Sequence, residues 1–167
     1  KETMTDAWRY NKDKAEALAD LICESLPKKF DVMRVHVGGD YFSKTYLEAW
    51  VIVAHRNPEK VFYSYSKSLH LFSDVIRPEN LVLTASRGGK FDELIDQHGW
   101  KEAVVVYSEE EAAEKGLEID HDDTHAAFGS ENFALLIHGT QPKGSAASQA
   151  LSALLKKKKL ASNPQPV

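Results

Sequence analysis

"VMRVHVGGDYFS", residues 32–43, is a β-branched run that breaks on two glycines and an aspartate and then enters a helix start. Val32 to Val37 follow the two-residue period of a strand. Met33, Val35 and Val37 fall on one face, and Arg34, His36 and Gly38 on the other. The glycine pair permits a tight turn, and Ser43 or Thr45 stands where a helix N-cap belongs. Strand, turn and helix form the unit that α/β folds repeat, so the fold depends on whether the rest of the chain repeats it.

It does. Residues 5–26 set Trp8, Ala15, Leu18, Leu21, Ile22 and Leu26 at helical spacings, closed by Pro27. A helix over 44–56 carries Leu47, Trp50, Val51 and Ala54 on one face and ends at Asn57-Pro58. Strands are expected at 61–68, 81–86, 103–108 and 133–139. Helices are expected at 91–98 (closed by Gly99), from the acidic start at Glu109, and from about Ser145 onward. Residues 117–132 have too little apolar content for a core element and read as an ordered loop or very short strand.

Alternating strands and helices imply mainly parallel pairing with right-handed crossovers. In a doubly covered parallel sheet the strands should be apolar on both faces. Here Val61, Tyr63 and Tyr65 oppose Phe62, Ser64 and Ser66, and Leu81, Leu83 and Ala85 oppose Val82, Thr84 and Ser86. One bulky face under helices and one of small and polar groups predict a curved sheet, a partial TIM-like barrel lined by a ligand cavity. A single α/β domain is expected over 1–160, with a flexible tail at 161–167.

Length and composition agree. A chain of 167 residues is the size of one domain, and 43% hydrophobic with 28% charged residues is globular composition. A net charge of −4 gives no strong nucleic-acid signal. Lys156 to Lys159 end a helix, where cations are favourable. No stretch reaches the roughly 18 apolar residues of a membrane span, and one cysteine, Cys23, excludes an internal disulfide. A cytoplasmic location is expected.

Ligands of parallel α/β folds bind at the carboxyl ends of the strands. Gly38-Gly39-Asp40, Ser66-Lys67-Ser68, Ser86-Arg87-Gly88-Gly89, Ser108-Glu109 and His138-Gly139 emerge there. Arg34 and His36 are expected on the inward face below that rim. A buried arginine needs an anionic partner, either Asp40, Asp120 or a ligand carboxylate or phosphate. Arg34, His36, Gly38, Gly39, Asp40, Ser66, Lys67, Ser86 and Arg87 are therefore the candidate ligand set, suited to a small anionic or nucleotide-like molecule. A second constellation, "IDHDDTHAAF", offers His121, Asp123 and His125, with His138, to a divalent metal. Asx-turn capping by Asp122 and Asp123 is the structural alternative.

"RVHVGGDYFSKTYLEAWVIVAHRNP", "FYSYSKS", "LTASRGG", "GLEIDHDDTHAA" and "FALLIHGTQPKGS" together resemble the gene-product-88 family of phage and plasmid proteins, over about residues 30–155. That family supplies no activity. More remotely, "VHVGGDYF" is similar to the GGE-type motif of radical S-adenosylmethionine enzymes. The resemblance implies that Gly38, Gly39 and Asp40 meet the methionine amine of the cofactor, with Ser66, Lys67, Ser86 and Arg87 near the rest. Those enzymes hold an iron–sulfur cluster through three cysteines, so no such cluster is expected from this chain alone. The chain, which opens on Lys1, is then a fragment lacking an N-terminal segment or a reduced relative.

Three functions remain open from the sequence. They are an enzyme or remnant with a strand-end pocket, a metal-dependent hydrolase or nuclease using the HDDTH cluster, and a non-catalytic interaction protein.

Overall fold

The computed structural model describes residues 4–139 and 141–162, with the side chains of 4–11, 160 and 162 outside the description. The expected packing of Trp8 and the tail at 163–167 thus lie outside the described residues; 161 and 162 complete the last helix. In chain order the elements are α1 (Met4–Ser25), β1 (Val32–Arg34), α2 (Lys44–Arg56), β2 (Val61–Ser66), a short 3-10 turn (Leu69–Leu71), β3 (Leu81–Ser86), α3 (Glu93–His98), β4 (Glu102–Val106), α4 (Glu109–Glu114), β5 (Glu118–Ile119), α5 (Thr124–Phe128), β6 (Phe133–Leu136) and α6 (Ala146–Ser162). The six strands are parallel throughout and form one curled sheet, a half-barrel, in the order β1-β2-β3-β4-β6-β5.

Local chemistry sets the boundaries. Ser43 caps α2 by accepting the Tyr46 N–H, and Ser108 caps α4 by accepting that of Glu111. Gly99 ends α3 in the left-handed conformation. No helix among the described residues is long and apolar enough to cross a membrane.

The convex face is the main core. Phe62, Leu81 and Leu83 pack with Leu47, Trp50 and Val53 of α2 and Ala19 of α1, while α4 sets Ala112 on Val106 and Ala134. Burial of these aliphatic and aromatic groups, each of the larger ones worth about 1.5–3 kcal/mol, is the dominant stabilising term.

The expected face assignment of β2 is inverted. Register places Phe62, Ser64 and Ser66 beside Leu81, Leu83 and Ala85, on the helix side, so the small residues lie under the helices and Tyr63 and Tyr65 line the concave side with Arg34. Ser64 is small because Tyr41, itself buried, reaches over it and donates its hydroxyl to Ser64 Oγ at 3.2 Å. A single strand's alternation could not decide this; the neighbours' register did.

The strand order explains what fills the concavity. From β1 to β4 the chain moves steadily across the sheet, with its helices outside. From β5 to β6 it steps back, because β6 lies between β4 and β5. A backward step stays right-handed only if its connection crosses the other face. α5 accordingly lies inside the half-barrel, where Ala126 packs on Ala103, Phe133, Tyr63 and Tyr65.

Candidate functional site

The inner surface is organised around α5. Asp123, just ahead of the helix, receives Tyr63 Oη on Oδ2 at 2.8 Å, Tyr65 Oη on Oδ1 at 2.8 Å, and Arg34 Nη1 on Oδ2 at 3.1 Å. The Arg34 guanidinium also lies 4.8 Å over the Tyr65 ring, a cation–π contact. Asp123 has φ 65°, and no other described residue apart from glycine has positive φ. Such a conformation costs on the order of 1 kcal/mol or more. Although Asp123 holds the N-cap position, its side chain makes no capping bond. Capping falls to its neighbours: Asp120 Oδ2 accepts the Ala126 N–H, and Asp122 Oδ1 accepts that of Thr124.

At its other end α5 is held by Lys101, whose ammonium donates to the carbonyls of His125, Ala126 and Gly129, each at 2.8 Å. Burial pushes the Lys101 pKa below its ordinary value, against the favourable charge of Asp120. Gly129 is required there, since a Cβ would come within 2.8 Å of the His125 carbonyl. Burial, with the Asp123 bond and charge adding to it, pushes the Tyr63 hydroxyl up to about 12 and moves Tyr65 in the same direction.

Asp40 is bonded by donors of the chain itself. Its Oδ1 accepts the Tyr41 N–H and Ser66 Oγ–H, both at 2.7 Å, and its Oδ2 accepts the N–H groups of Lys67 at 2.7 Å and Ser68 at 3.0 Å. Four donors of the chain itself thus occupy the carboxylate that the resemblance directs to an amine. Gly39, at φ 86°, makes the turn that brings it there, and Gly38 is exposed beside it. The next glycine pair is closed in the same way: Asp92 accepts the N–H groups of Gly88 and Gly89, both at 2.9 Å.

Arg34 and His36 do not share a face. β1 pairs only through Arg34, with a last bond from the Val35 N–H to the Tyr63 carbonyl. The chain then bends, Val37 is 89% exposed, and the His36 ring turns toward α2, edge-on to Tyr41 and 3.1 Å from the Tyr46 hydroxyl. Burial pushes the His36 pKa down, against the opposing charge of Asp40. Arg87 sits at the rim but is ion-paired with Glu102 and with Asp96, while Lys67 Nζ donates to the Arg87 carbonyl at 3.3 Å. Ser86 ends β3 half-buried beside it.

His121, Asp123, His125 and His138 are not gathered. His121 precedes α5 rather than sharing a helical face with His125. His125 stacks on Phe133 and pairs with Glu118 at 3.4 Å, whereas His138 lies beyond the far end of β6. Five residue steps separate Phe133 from His138, about 16 Å at the rise of an extended chain. Among the described residues no group of three or more His, Cys, Asp or Glu is arranged to hold a metal ion.

Sequence reasoning missed Tyr63, Tyr65 and Lys101 as partners of the HDDTH segment. It also passed over Val105, Tyr107, Ile137 and Gln141, which with the expected strand-end residues Arg87 and His138 border a concavity of about 510 Å³ at the ends of β3, β4 and β6. Val105 and Tyr107 carry the signal: they continue the alternation of Ala103 onto the concave face, yet are 47% and 43% exposed.

Comparison with known proteins agrees with the motifs. A family model described as "Gene product 88" matches residues 2–157. The Gene 88 protein of Mycobacterium phage L5 is 32% identical over 123 residues, which cover 71% of this chain and 44% of that protein. The chain therefore matches less than half the length of this relative. No solved structure matches.

Proposed function

The chain belongs to the gene product 88 family, and on that premise we propose that it binds a small nucleotide-like or anionic molecule at the carboxyl ends of its strands. The supporting observation is the uncovered apolar surface of Val105 and Tyr107 in the 510 Å³ concavity. Parallel strands are ordinarily covered on both faces, and the carboxyl edge is where such sheets take their ligands. A flat ring laid on Tyr107 would cover that surface, with His138 and Gln141 offering polar contacts at its edge.

S-adenosylmethionine, ATP and adenosine, each of which carries a flat ring that could lie on Tyr107, are the compounds to titrate. Isothermal titration calorimetry of wild type and Y107A tests the reading. Expected is binding by wild type, weakened about tenfold in Y107A, equivalent to about 1.4 kcal/mol. No binding of any of the three at millimolar concentration would end the proposal.

A further inference from the structure

The three donors around Asp123 are positioned by contacts that do not involve it. Tyr63 and Tyr65 project from β2, and Arg34 is fixed by its Nε, which donates to the His36 carbonyl at 2.8 Å, and by the Tyr65 ring beneath it. The acceptor, by contrast, is brought to them on a residue with φ 65°, at an N-cap position whose capping role it does not fill. The rest of α5 is held separately by Lys101 and Asp120.

We propose that Arg34, Tyr63 and Tyr65 form an anion-binding site on the concave face, and that Asp123 is its built-in competitor, displaced by the carboxylate or phosphate group of a ligand. Three charged or hydroxyl donors facing two oxygens match either oxyanion, and charge-assisted bonds of this kind are the strong ones. The site is open enough to exchange: the Arg34 and Asp123 side chains are 35% and 27% exposed. Because α5 keeps its other anchors, the carboxylate leaves the donors without the helix leaving the barrel. This goes beyond the strand-end cleft and uses none of its residues, so failure of one leaves the other standing.

D123G removes the carboxylate and suits the backbone, since glycine adopts φ near +65° freely. Inorganic phosphate and acetate, at constant ionic strength, are titrated into wild type, D123G and D123G/R34Q, with binding followed by calorimetry and by the Arg34 Nε–Hε resonance. The expected result is that D123G binds at least one anion tenfold or more tighter than wild type, and that R34Q abolishes the gain. The tighter anion identifies the ligand group. Equal affinity in all three proteins, or no binding by D123G, overturns the proposal. Should D123G fail to fold, D123N, which also tolerates the left-handed region, takes its place in the same titrations, and the same outcomes support or overturn the site.

Discussion

Asp40, on the loop after β1, accepts the backbone N–H of Lys67, the first residue beyond β2, at 2.7 Å. With Ser66 and Ser68 on the same carboxylate, the ends of two neighbouring strands are locked together by one side chain. D40A leaves several of these donors without partners. Hydrogen bonds to charged groups contribute about 1.5–3 kcal/mol, so a loss of about 2 kcal/mol is expected. In a chain of this size that is roughly 4–8 °C in melting temperature. Circular dichroism melting checks it, and a shift within about one degree would make Asp40 a ligand contact rather than a lock.

Lys101 makes a second prediction. K101M keeps the aliphatic stem but strands three carbonyls, with an expected cost of about 2–4 kcal/mol. The loss should be local as well as global: hydrogen exchange of residues 124–129 should accelerate more than that of β2 or β3. Uniform acceleration across the sheet would argue against Lys101 as the anchor of α5.

The tyrosines give a pH dependence with a definite sign. Tyr63 ionises at about 12 in the fold against 10.0 unfolded, so the unfolded chain releases its proton first as pH rises. The stabilising contribution is complete below pH 10 and is lost between about pH 10 and 12. Y63F should flatten part of that decline. Ultraviolet titration checks the premise: complete ionisation of all tyrosines by about pH 10.5 in folded protein would refute it.

Much of this architecture is legible in the residues. "LVLTAS" is β3 to the residue, Gly99 stops α3 where expected, and the parallel α/β class follows from the alternation. The misreadings share a cause, which is that they depend on neighbours distant in sequence. Ser64 and Ser66 look like cavity lining until Phe62 is paired with Leu81. His36 looks like Arg34's companion until the bend turns it toward Tyr46. α5 is invisible because its buried contacts are two alanines, Ala126 and Ala127, held by the distant Lys101. The polar segment 117–132 does hold the very short strand expected of it, β5, but also α5, which enters the barrel because the step back from β5 to β6 sends it there.

That backward step also has a consequence for the order of assembly. In the described sheet β5 hydrogen-bonds only to β6, and β6 is made last. While the chain emerges from a ribosome, β1 to β4 can zip together strand by strand, but β5 has no edge to join until Phe133 to Leu136 arrive, and α5, whose partners Tyr63, Tyr65 and Ala103 are already made, still lacks Phe133. The strand made fifth is therefore the last to find its place in the sheet, and a nascent chain that stops before Phe133 has the sequence of β5 but no neighbour for it to pair with.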